Sequence, residues 1–585
     1  MILKQALWTR VIALLVPALV FSACANDDGA PGREADTTGS SAAEDTTVGS
    51  DLGILCVPGE QRCLDTQTRE TCSASGRTWE QDYCGDNRVC TPCEGAACTT
   101  AQCAGPCEST DLLPSSAGCS FIVNRQLHLI EDGPDGLIIG NPNRELIATV
   151  QIYKVPEGRN REEPEGEPLT LAPGEFEVIE VETSFVQGTS SMFRTGGMLR
   201  VESDAPIIAY HHAPLRLDVG NDSSMLLPET TLRNDYIIAS YNPHPASLSQ
   251  KGRPTYFEVI GLENETTIEW IPPVQTAGNG LPIKPVMPGE KGTLKINRFD
   301  TIRITASLCP SDECPGALDP AANLQDISGT VLRSNKPIWV VGASRCSRVP
   351  VRDTPPRGRC DPLQEQLIPI DYWGTEYVAA PAPTRETERH YWRIFAGRAG
   401  VTVETIPPQA NTPHTFSATG EFIELDVANG TAFIVKASGP VMPVQYLQSR
   451  WTNGEPEDER TFYGDPAMTQ SVPVAQFLDR YVFVTPLNYR HNFVQVIRRA
   501  NGATVLLNDT AVTDFHSIEN YEVANVEIEE GGHIIESSEP FGIIQVGYSG
   551  DEPDPENCPD IAEGFICNTS YAYPGGMKQE QIFVP

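Results

Sequence analysis

The sequence is poor in cations and aromatic side chains, and none of its segments keeps a sustained helical period. It has 42 Lys and Arg against 78 Asp and Glu, a formal charge of −36, and 7% aromatic residues. Contact with phosphates needs clustered cations, so we expect no nucleic-acid partner. Beyond the N-terminus, no stretch is apolar enough to cross a membrane. These deficits exclude a nucleic-acid binder and a multi-spanning membrane protein.

Motifs of common catalytic sites are also missing. The chain contains no HExxH, no GxSxG, no Walker A and no GxGxxG after a strand. No nucleophile–base pair or cofactor loop stands out, and no carboxylate pair is distinguished among the 78 acidic residues. We therefore predict that the protein is not an enzyme, with no catalytic residues and no cofactor.

Turn-forming residues and cysteines are plentiful instead. Glycine and proline number 48 and 49, the apolar fraction is 40%, and there are 17 cysteines in 585 residues. Abundant Gly and Pro favour turns and short strands over a helical bundle. The apolar content supports folded cores, and the length predicts three to five folded units. So many cysteines indicate an oxidising compartment outside the cytosol.

The N-terminus has the features of a secretory signal. Lys4 and Arg10 precede an apolar run of 13 residues, 11–23, which is too short to span a bilayer. Phe21-Ser22-Ala23-Cys24 resembles a bacterial lipobox, although Phe stands where Leu is usual. That resemblance implies cleavage before Cys24 and its lipidation, with several acyl chains for stable anchoring. The alternative is an ordinary cleaved signal with a disulfide-bonded Cys24.

The remaining sixteen cysteines form two groups. Ten are crowded together: Cys56, Cys63, Cys72, Cys84, Cys90, Cys93, Cys98, Cys103, Cys107 and Cys119. We interpret them as a disulfide-rich module whose connectivity the sequence leaves open. The other six form three local pairs that should staple loops: Cys309 with Cys314, Cys346 with Cys360, and Cys558 with Cys567. Zinc bound through Cys90 and Cys93 is a weaker alternative, because the module has no histidine.

Four internal repeats follow the module. One phrase, a small or polar pair and then proline before an apolar strand, occurs at Pro206, Pro337, Pro440 and Pro540. A second phrase follows each time, with its prolines at Pro228, Pro369, Pro473 and Pro574. Eight positions after these lie Tyr236, Tyr377, Tyr481 and Ile582. The spacing predicts a unit of about 100 residues that occurs four times, with inserted loops such as 156–170 and 307–330 in the longer copies.

The repeats alternate apolar and polar residues as half-buried strands do. We predict an all-β fold of four antiparallel units, each a sandwich of seven or eight strands, with a β-propeller as the alternative. The phrase prolines should occupy edge or first positions of strands. The predicted domains are a signal peptide (1–23), a lipid anchor and acidic flexible tether (24–55), the cysteine module (56–119), and repeats at 120–250, 251–388, 389–489 and 490–585.

Several phrases resemble the N-terminal domain family of IgG-Fc-binding protein. They are SMLLP…YIIAS, PIDYWGTEYVAAP, YWRIFA…VTVETIPP, GDPAMTQSVPVAQFL and SYAYPGGM, and the resemblance covers about 120–585. It implies an extracellular, β-rich, non-enzymatic binding role. The resemblance supplies no functional residues that can be placed on positions of this chain.

Three other features could carry chemistry. His211 and His212 are adjacent, and strand geometry should point one ring inward and the other to solvent rather than form a metal site. Acidic loops at Asp132–Asp135 and Asp551–Asp560 are candidates for structural calcium. Five tryptophans in or beside the strand phrases should pack in cores rather than stack on sugars: Trp270, Trp339, Trp373, Trp392 and Trp451.

Three functions are compatible with these features. The first, which we favour, is a lipid-anchored cell-surface protein that binds or adheres to an extracellular protein or glycan. The second is a structural envelope component, and the third an exported hydrolase acting on glycans. Ala25 lacks the Asp that marks inner-membrane retention, which favours the outer membrane. Ligand, binding face, orientation of the anchor and oligomeric state are not set by the sequence.

Overall fold

The computed structural model describes residues 55–65, 67–85, 88–91, 100–128, 134–181, 190–215, 220–243, 254–307, 325–351, 360–385, 387–450, 464–550 and 569–583. Within these ranges the chain is built almost entirely of antiparallel strands, so the all-β prediction is confirmed. The helix present there is too short to span a bilayer.

The cysteine module comes first. Its elements are β1 (Gln61–Cys63), β2 (Thr68–Cys72), β3 (Trp79–Tyr83), β4 (Val89–Thr91), β5 (Gln102–Ala104) and α1 (Pro106–Leu112). The first three strands form one small sheet and β4 pairs with β5. Disulfides join Cys56 to Cys72, Cys63 to Cys90, Cys84 to Cys103 and Cys107 to Cys119. The bond at Cys90 leaves this thiol unavailable for the alternative zinc site, and Cys93 and Cys98 lie outside the described residues.

Repeats 1 and 2 follow the module. Repeat 1 contains β6 (Gly118–Val123), β7 (Asp135–Gly140), β8 (Ala148–Val155), β9 (Glu163–Leu171), β10 (Phe176–Val181), β12 (Met198–Ala213) and β13 (Asp222–Met225), while β11 (Met192–Thr195) pairs with repeat 2. Repeat 2 contains β14 (Asp235–Ile237), β15 (Thr255–Gly261), β16 (Thr266–Ile271), β17 (Gly292–Ile296), β18 (Asp300–Thr305), β19 (Val331–Ser334), β20 (Ile338–Ser347) and β21 (Asp361–Gln366).

Repeats 3 and 4 complete the fold. Repeat 3 contains β22 (Gly374–Ala379), β23 (His390–Ala396), β24 (Thr402–Ile406), β25 (His414–Thr415), β26 (Phe422–Val427), β27 (Phe433–Tyr446) and β28 (Met468–Gln470). Repeat 4 contains β29 (Leu478–Val484), β30 (His491–Arg499), β31 (Leu506–Leu507), β32 (Thr510–Ala511), β33 (His516–Ile518), β34 (Tyr521–Ile528), β35 (Gly532–Ser549) and β36 (Thr569–Pro574). Short 3-10 turns, Glu229–Thr231, Ile370–Tyr372 and Val474–Gln476, link successive repeats.

All four repeats have one topology. In repeat 3, β22, β27, β24 and β25 form one sheet in that order, and β26, β23, β27 and β28 form a second. The long strand β27 therefore belongs to both sheets, as do β12 and β35, whereas β19 and β20 share this role in repeat 2. Apolar side chains of both sheets meet between them, as in a sandwich. The shared strand distinguishes this architecture from separate propeller blades.

The strand pairing places the starts of repeats 2, 3 and 4 earlier in the chain than the sequence predicted. β14, β22 and β29 lie before residues 251, 389 and 490, yet each pairs with the repeat that follows it. The second sequence phrase thus ends one repeat and also supplies the first strand of the next. Part of the expected loop 156–170 is also structured, because 163–171 form β9, which pairs with β8.

The first sequence phrase is the bend of the shared strand. Pro206, Pro440 and Pro540 lie inside long strands rather than at edges or strand starts, which corrects our expectation for them. The pairing register shifts there, and a bulge tolerates proline because the ladder hydrogen bond is already interrupted. The polar residues before proline also have a role, because the side chains of Asp204 and Asn335 accept backbone N–H groups from the adjacent strand at 2.7 Å.

A tyrosine braces the bend in three repeats. Tyr377 Oη donates to Val441 O, the residue after the bend proline, and accepts from Gly374 N at 2.7 Å. Tyr236 and Tyr481 make the same pair of hydrogen bonds, to the carbonyls after Pro337 and Pro540. In repeat 1 the position equivalent to these tyrosines is occupied by Phe121, which pairs with Val201 and has no hydroxyl group. The eight-residue spacing seen in the sequence therefore marks a side chain that closes the bend.

The repeats pack around a common centre. The last strands of the four repeats contact one another in a closed cycle, β13 with β21, β21 with β28, β28 with β36 and β36 with β13. The C-terminal segment then returns to the start of repeat 1, where Ser116 N donates to Met577 O at 2.9 Å and Gln579 N donates to Pro114 O at 2.8 Å. The ring is closed by contacts between both ends of the repeat array.

The bend tyrosine can be tested by removing its hydroxyl. We expect Tyr377→Phe to lower the free energy of unfolding by about 1–3 kcal/mol, because Val441 O and Gly374 N are left buried without their partner. Denaturant unfolding measures the loss, and hydrogen exchange at the Gly374 amide should accelerate. Tyr153→Phe, at a half-buried tyrosine of β8, is the matched control. Equal stabilities of the Tyr377→Phe variant and the parent would contradict this role.

Candidate functional site

Titratable side chains from three segments of repeat 1 meet inside the fold. Asp135, the first residue of β7, lies between His128 and His211, with its carboxylate 3.3 Å from His128 Nε2 and 3.0 Å from His211 Nε2. Gln126 N also donates to Asp135 Oδ2 at 3.0 Å. Burial raises the pKa of Asp135, but hydrogen bonds and positive charge from the two imidazoles outweigh burial and hold it well below its ordinary value.

This cluster corrects the expectation for the histidine pair. His211 and His212 both lie in β12 and both are buried, at 4% and 0% exposure. Alternation does send them to opposite faces, but the face of β12 expected to meet solvent is covered by repeat 4, where Tyr489 packs edge-on against His212. The structure brings no three metal-ligating side chains together in metal-binding geometry within the described ranges.

The surroundings of His212 fix its tautomer. Nδ1 lies 2.5 Å from Ser223 Oγ, and Nε2 lies 3.1 Å from Asn221 Nδ2. Because an amide nitrogen only donates, Nε2 accepts and Nδ1 carries the hydrogen. Burial, reinforced by the neighbouring His211, lowers the pKa of His212 to about 3. The ring therefore stays neutral and serves as a hydrogen-bonding bridge.

A second acidic group occupies the centre of the ring. The Asp222 carboxylate, on β13, accepts backbone N–H groups from Ser223 at 2.9 Å, Gln364 at 3.1 Å and Met468 at 3.2 Å. One side chain thus joins the last strands of repeats 1, 2 and 3. Burial raises the pKa of Asp222 well above its ordinary value, and the three N–H groups act in the opposite direction.

Glu365 is buried beside Asp222. Its Oε2 accepts from Ser224 Oγ at 2.8 Å, while Oε1 has no hydrogen-bond partner among the described residues. Burial, with the nearby charge of Asp222, raises the pKa of Glu365 well above its ordinary value. Since both carboxyl groups are enclosed between strands, they hold the ring together and do not face a substrate.

The surface offers open grooves. Between repeats 1 and 4, Arg144 and Arg480 share Glu536, at 2.9 and 3.4 Å, and Asp479 lines the same groove. The charges there balance. On the cysteine module, a groove is lined by Arg69, which pairs with Asp82 at 2.5 Å, and by the exposed ring of Tyr83. Hydroxyl side chains line both grooves, but within the described residues none of them is hydrogen-bonded to a carboxylate or an imidazole.

The other sequence candidates are placed as follows. The structure joins Cys346 to Cys360, and Trp270, Trp339, Trp373 and Trp392 are buried. The remaining candidates lie outside the described residues: Cys24, Cys309, Cys314, Cys558, Cys567, Trp451, Asp132 and the acidic loop Asp551–Asp560. Asp135 is the described member of the calcium candidates, and it is paired with imidazoles instead.

Sequence reasoning missed the central carboxylates. Asp222 and Glu365 sit in the last strand of their repeats, just before the second sequence phrase, and nothing in the composition separates them from the other acidic residues. Asp222 lies six residues before Pro228 and Glu365 lies four residues before Pro369. Alignment of the repeats therefore places the two acids at different positions and would not have singled them out.

Together, the fold and its enclosed polar centre define an all-β protein made of sandwich repeats that close into a ring. Residues 222–547, more than half of the chain, match the family described as IgGFc binding protein, so the protein belongs to this family. The match begins at Asp222 in β13 and ends within β35, so it contains the last strands of repeats 1, 2 and 3 and stops before β36. None of the curated proteins matches the sequence.

The neutral, buried state of His212 predicts a pH effect on stability. As pH falls below about 6.5, the unfolded chain binds a proton at this imidazole while the folded protein does not until about pH 3, so stability is lost over that window. Between pH 7 and pH 4.5, the unfolding free energy of the parent should therefore fall by about 3 kcal/mol more than that of the His212→Asn variant.

Denaturant unfolding is measured for the parent and the variant at both pH values. The difference between the two proteins removes the contribution of the other titrating groups. His516→Gln, at an exposed histidine, should follow the parent. Identical pH dependence of the His212→Asn variant and the parent would show that folding does not lower the pKa of His212.

Proposed function

We propose that this protein is a lipid-anchored cell-surface receptor that binds an extracellular protein through its β-sandwich repeats, without catalysis. The observation that carries the proposal is the match of residues 222–547 to a family described by its binding of IgG Fc. Supporting it, the Asp222 carboxylate is buried and ties strands of three repeats together, so it is not arranged for turnover.

Export and anchoring form the second part of the proposal. The apolar segment 11–23, which ends in Ser22-Ala23 directly before Cys24, has the pattern of a lipoprotein signal. The disulfides of the module suit an oxidising compartment, since thiols in the cytosol are kept reduced. We place the protein in the outer membrane with the repeats exposed to the outside.

The anchor is tested by metabolic labelling. Cells that produce the full chain should incorporate a labelled fatty acid into it, and protease added to intact cells should remove the repeats. The matched control is Cys24→Ser, which lacks the thiol that takes the diacylglyceryl group and should remain unlabelled. Labelling of the Cys24→Ser variant, or protection from protease in intact cells, would contradict lipidation at Cys24 or surface exposure, respectively.

The binding activity is tested with the ligand that the family description names. Detergent-solubilised full-length protein should bind immobilised IgG Fc with a Kd in the micromolar range or below, and should not bind Fab from the same antibody. Specific protein–protein affinities fall in this range for standard interfaces. Equal binding to Fc and Fab, or binding to neither, would contradict Fc recognition.

A further inference from the structure

Repeat 2 carries a long hairpin that the other repeats lack. Between β16 and β17 the chain runs through the 20 residues 272–291. The equivalent connections contain seven residues in repeat 1 (156–162), seven in repeat 3 (407–413) and two in repeat 4 (508–509). Since the same topology closes with two to seven residues elsewhere, the fold does not require the extra length. Long ordered loops in compact proteins usually serve a function.

This hairpin is held in one shape by its own hydrogen bonds. Thr276 N donates to Val286 O at 2.9 Å, and Asn279 N donates to Ile283 O at 3.0 Å. Its base is fixed to the sheet, because Ala277 N donates to Thr305 O at 2.8 Å. The two arms meet so closely at Gly278 that a Cβ there would lie 2.7 Å from Pro285 Cδ. A tip fixed in this way loses little conformational entropy on binding.

The outer face of the hairpin is apolar. Leu281, at the tip, is 82% exposed, Met287 is 48% exposed, and Ile271 at the base is 38% exposed. Exposed prolines lie between them, whereas Val274 and Ile283 on the inner face are buried. Scattered exposed apolar residues are ordinary, but three on one ordered connection that is much longer than its equivalents in the other repeats indicate an interaction site.

The tip of the hairpin carries positive charge only. Lys284 is exposed and is the one ionisable residue between Gln275 and Gly289, and it makes no ion pair within the described part of the chain. The chain as a whole carries −36. A negatively charged partner that is repelled elsewhere can approach here. The tip has no Trp or Tyr and a single cation, so it lacks the aromatic and polybasic anchors typical of membrane-binding loops.

We propose that the hairpin 272–291 is the partner-binding element of this protein, and that it inserts Leu281 into an apolar pocket rimmed by carboxylates on an extracellular protein. The inference deepens the proposed binding function and rests on it. Leu281 and Met287 supply apolar contact, and Lys284 pairs with the rim of the pocket. Anchors of this kind dominate binding energy when a preformed pocket excludes water around them.

The first experiment selects ligands without assuming the natural partner. A phage library of a small folded domain with randomised surface residues, which can present pockets, is selected on the full-length protein, and each enriched clone is tested against the parent, Leu281→Asp and Ile147→Asp. Most clones should contain apolar and acidic residues and should lose at least tenfold in binding to Leu281→Asp. They should bind Ile147→Asp normally, because Ile147 is a comparably exposed apolar residue of repeat 1.

Clones that bind Leu281→Asp as well as the parent, or no enrichment at all, would overturn the proposal. Because Leu281 is exposed, its variant should keep the parent's melting temperature, and Met287→Asp provides a second variant at another point of the same face. Leu281-dependent cosedimentation of the parent with phosphatidylglycerol vesicles would assign the tip to a membrane and overturn the proposal. Leu281-dependent dimerisation of the parent in sedimentation velocity would assign the tip to a second copy and overturn it as well.

The second experiment separates this inference from the proposed function. IgG Fc is tested against the same variants. If Leu281→Asp weakens Fc binding tenfold or more, the result supports both the binding function and the hairpin as its contact. Undiminished Fc binding by that variant supports the binding function and overturns the hairpin as its contact. Library domains whose binding depends on Leu281, together with no binding of Fc to the parent, would support the hairpin as a binding element and contradict Fc as the ligand.

Discussion

The structure depends on one constraint, which is that strands in the middle of the second sheets are buried on both faces. All residues of β15, β20 and β23 are buried, with no alternation to solvent. One face packs inside its own sandwich, and the other can be covered only by a neighbouring repeat. A single repeat would therefore expose a large apolar surface. Closing four repeats into a ring removes that exposure at every junction, including the one between repeats 1 and 4.

At the centre of the ring the packing is polar, and this gives the assembly its register. The last strands are too short to hold the repeats by area alone, and Asp222 supplies specific partners on β21 and β28. Apolar contacts allow neighbouring strands to shift relative to one another. A buried carboxyl group with three N–H donors strongly disfavours any strand arrangement in which those hydrogen bonds are lost. A single polar group also acts at the bends of repeats 2, 3 and 4, where one tyrosine hydroxyl fixes the point at which the chain passes from one sheet to the next.

The sequence could predict much of this because several rules are local. Alternation in segments such as TVETI follows from burial of one strand face, and β24 shows it. The prolines and the tyrosines recur because each repeat needs the same bend. Expectations for Pro206 and His212 were wrong because both assumed a strand with one free edge or face. Burial of the opposite face depends on a neighbour far away in the chain, which periodicity within a strand does not reveal.

The sequence by itself determined that the chain forms four related strand-rich units preceded by a module crosslinked by disulfides, because turn residues, alternation and cysteine spacing act over a few residues. Tertiary structure alone decided which acids are buried, that the units close into a ring, and that one hairpin of repeat 2 projects Leu281. The buried acids and the closed ring arise from contacts between segments more than a hundred residues apart, such as Asp222 with Gln364 and Met468, whose energies depend on a geometry that exists only after the chain has folded.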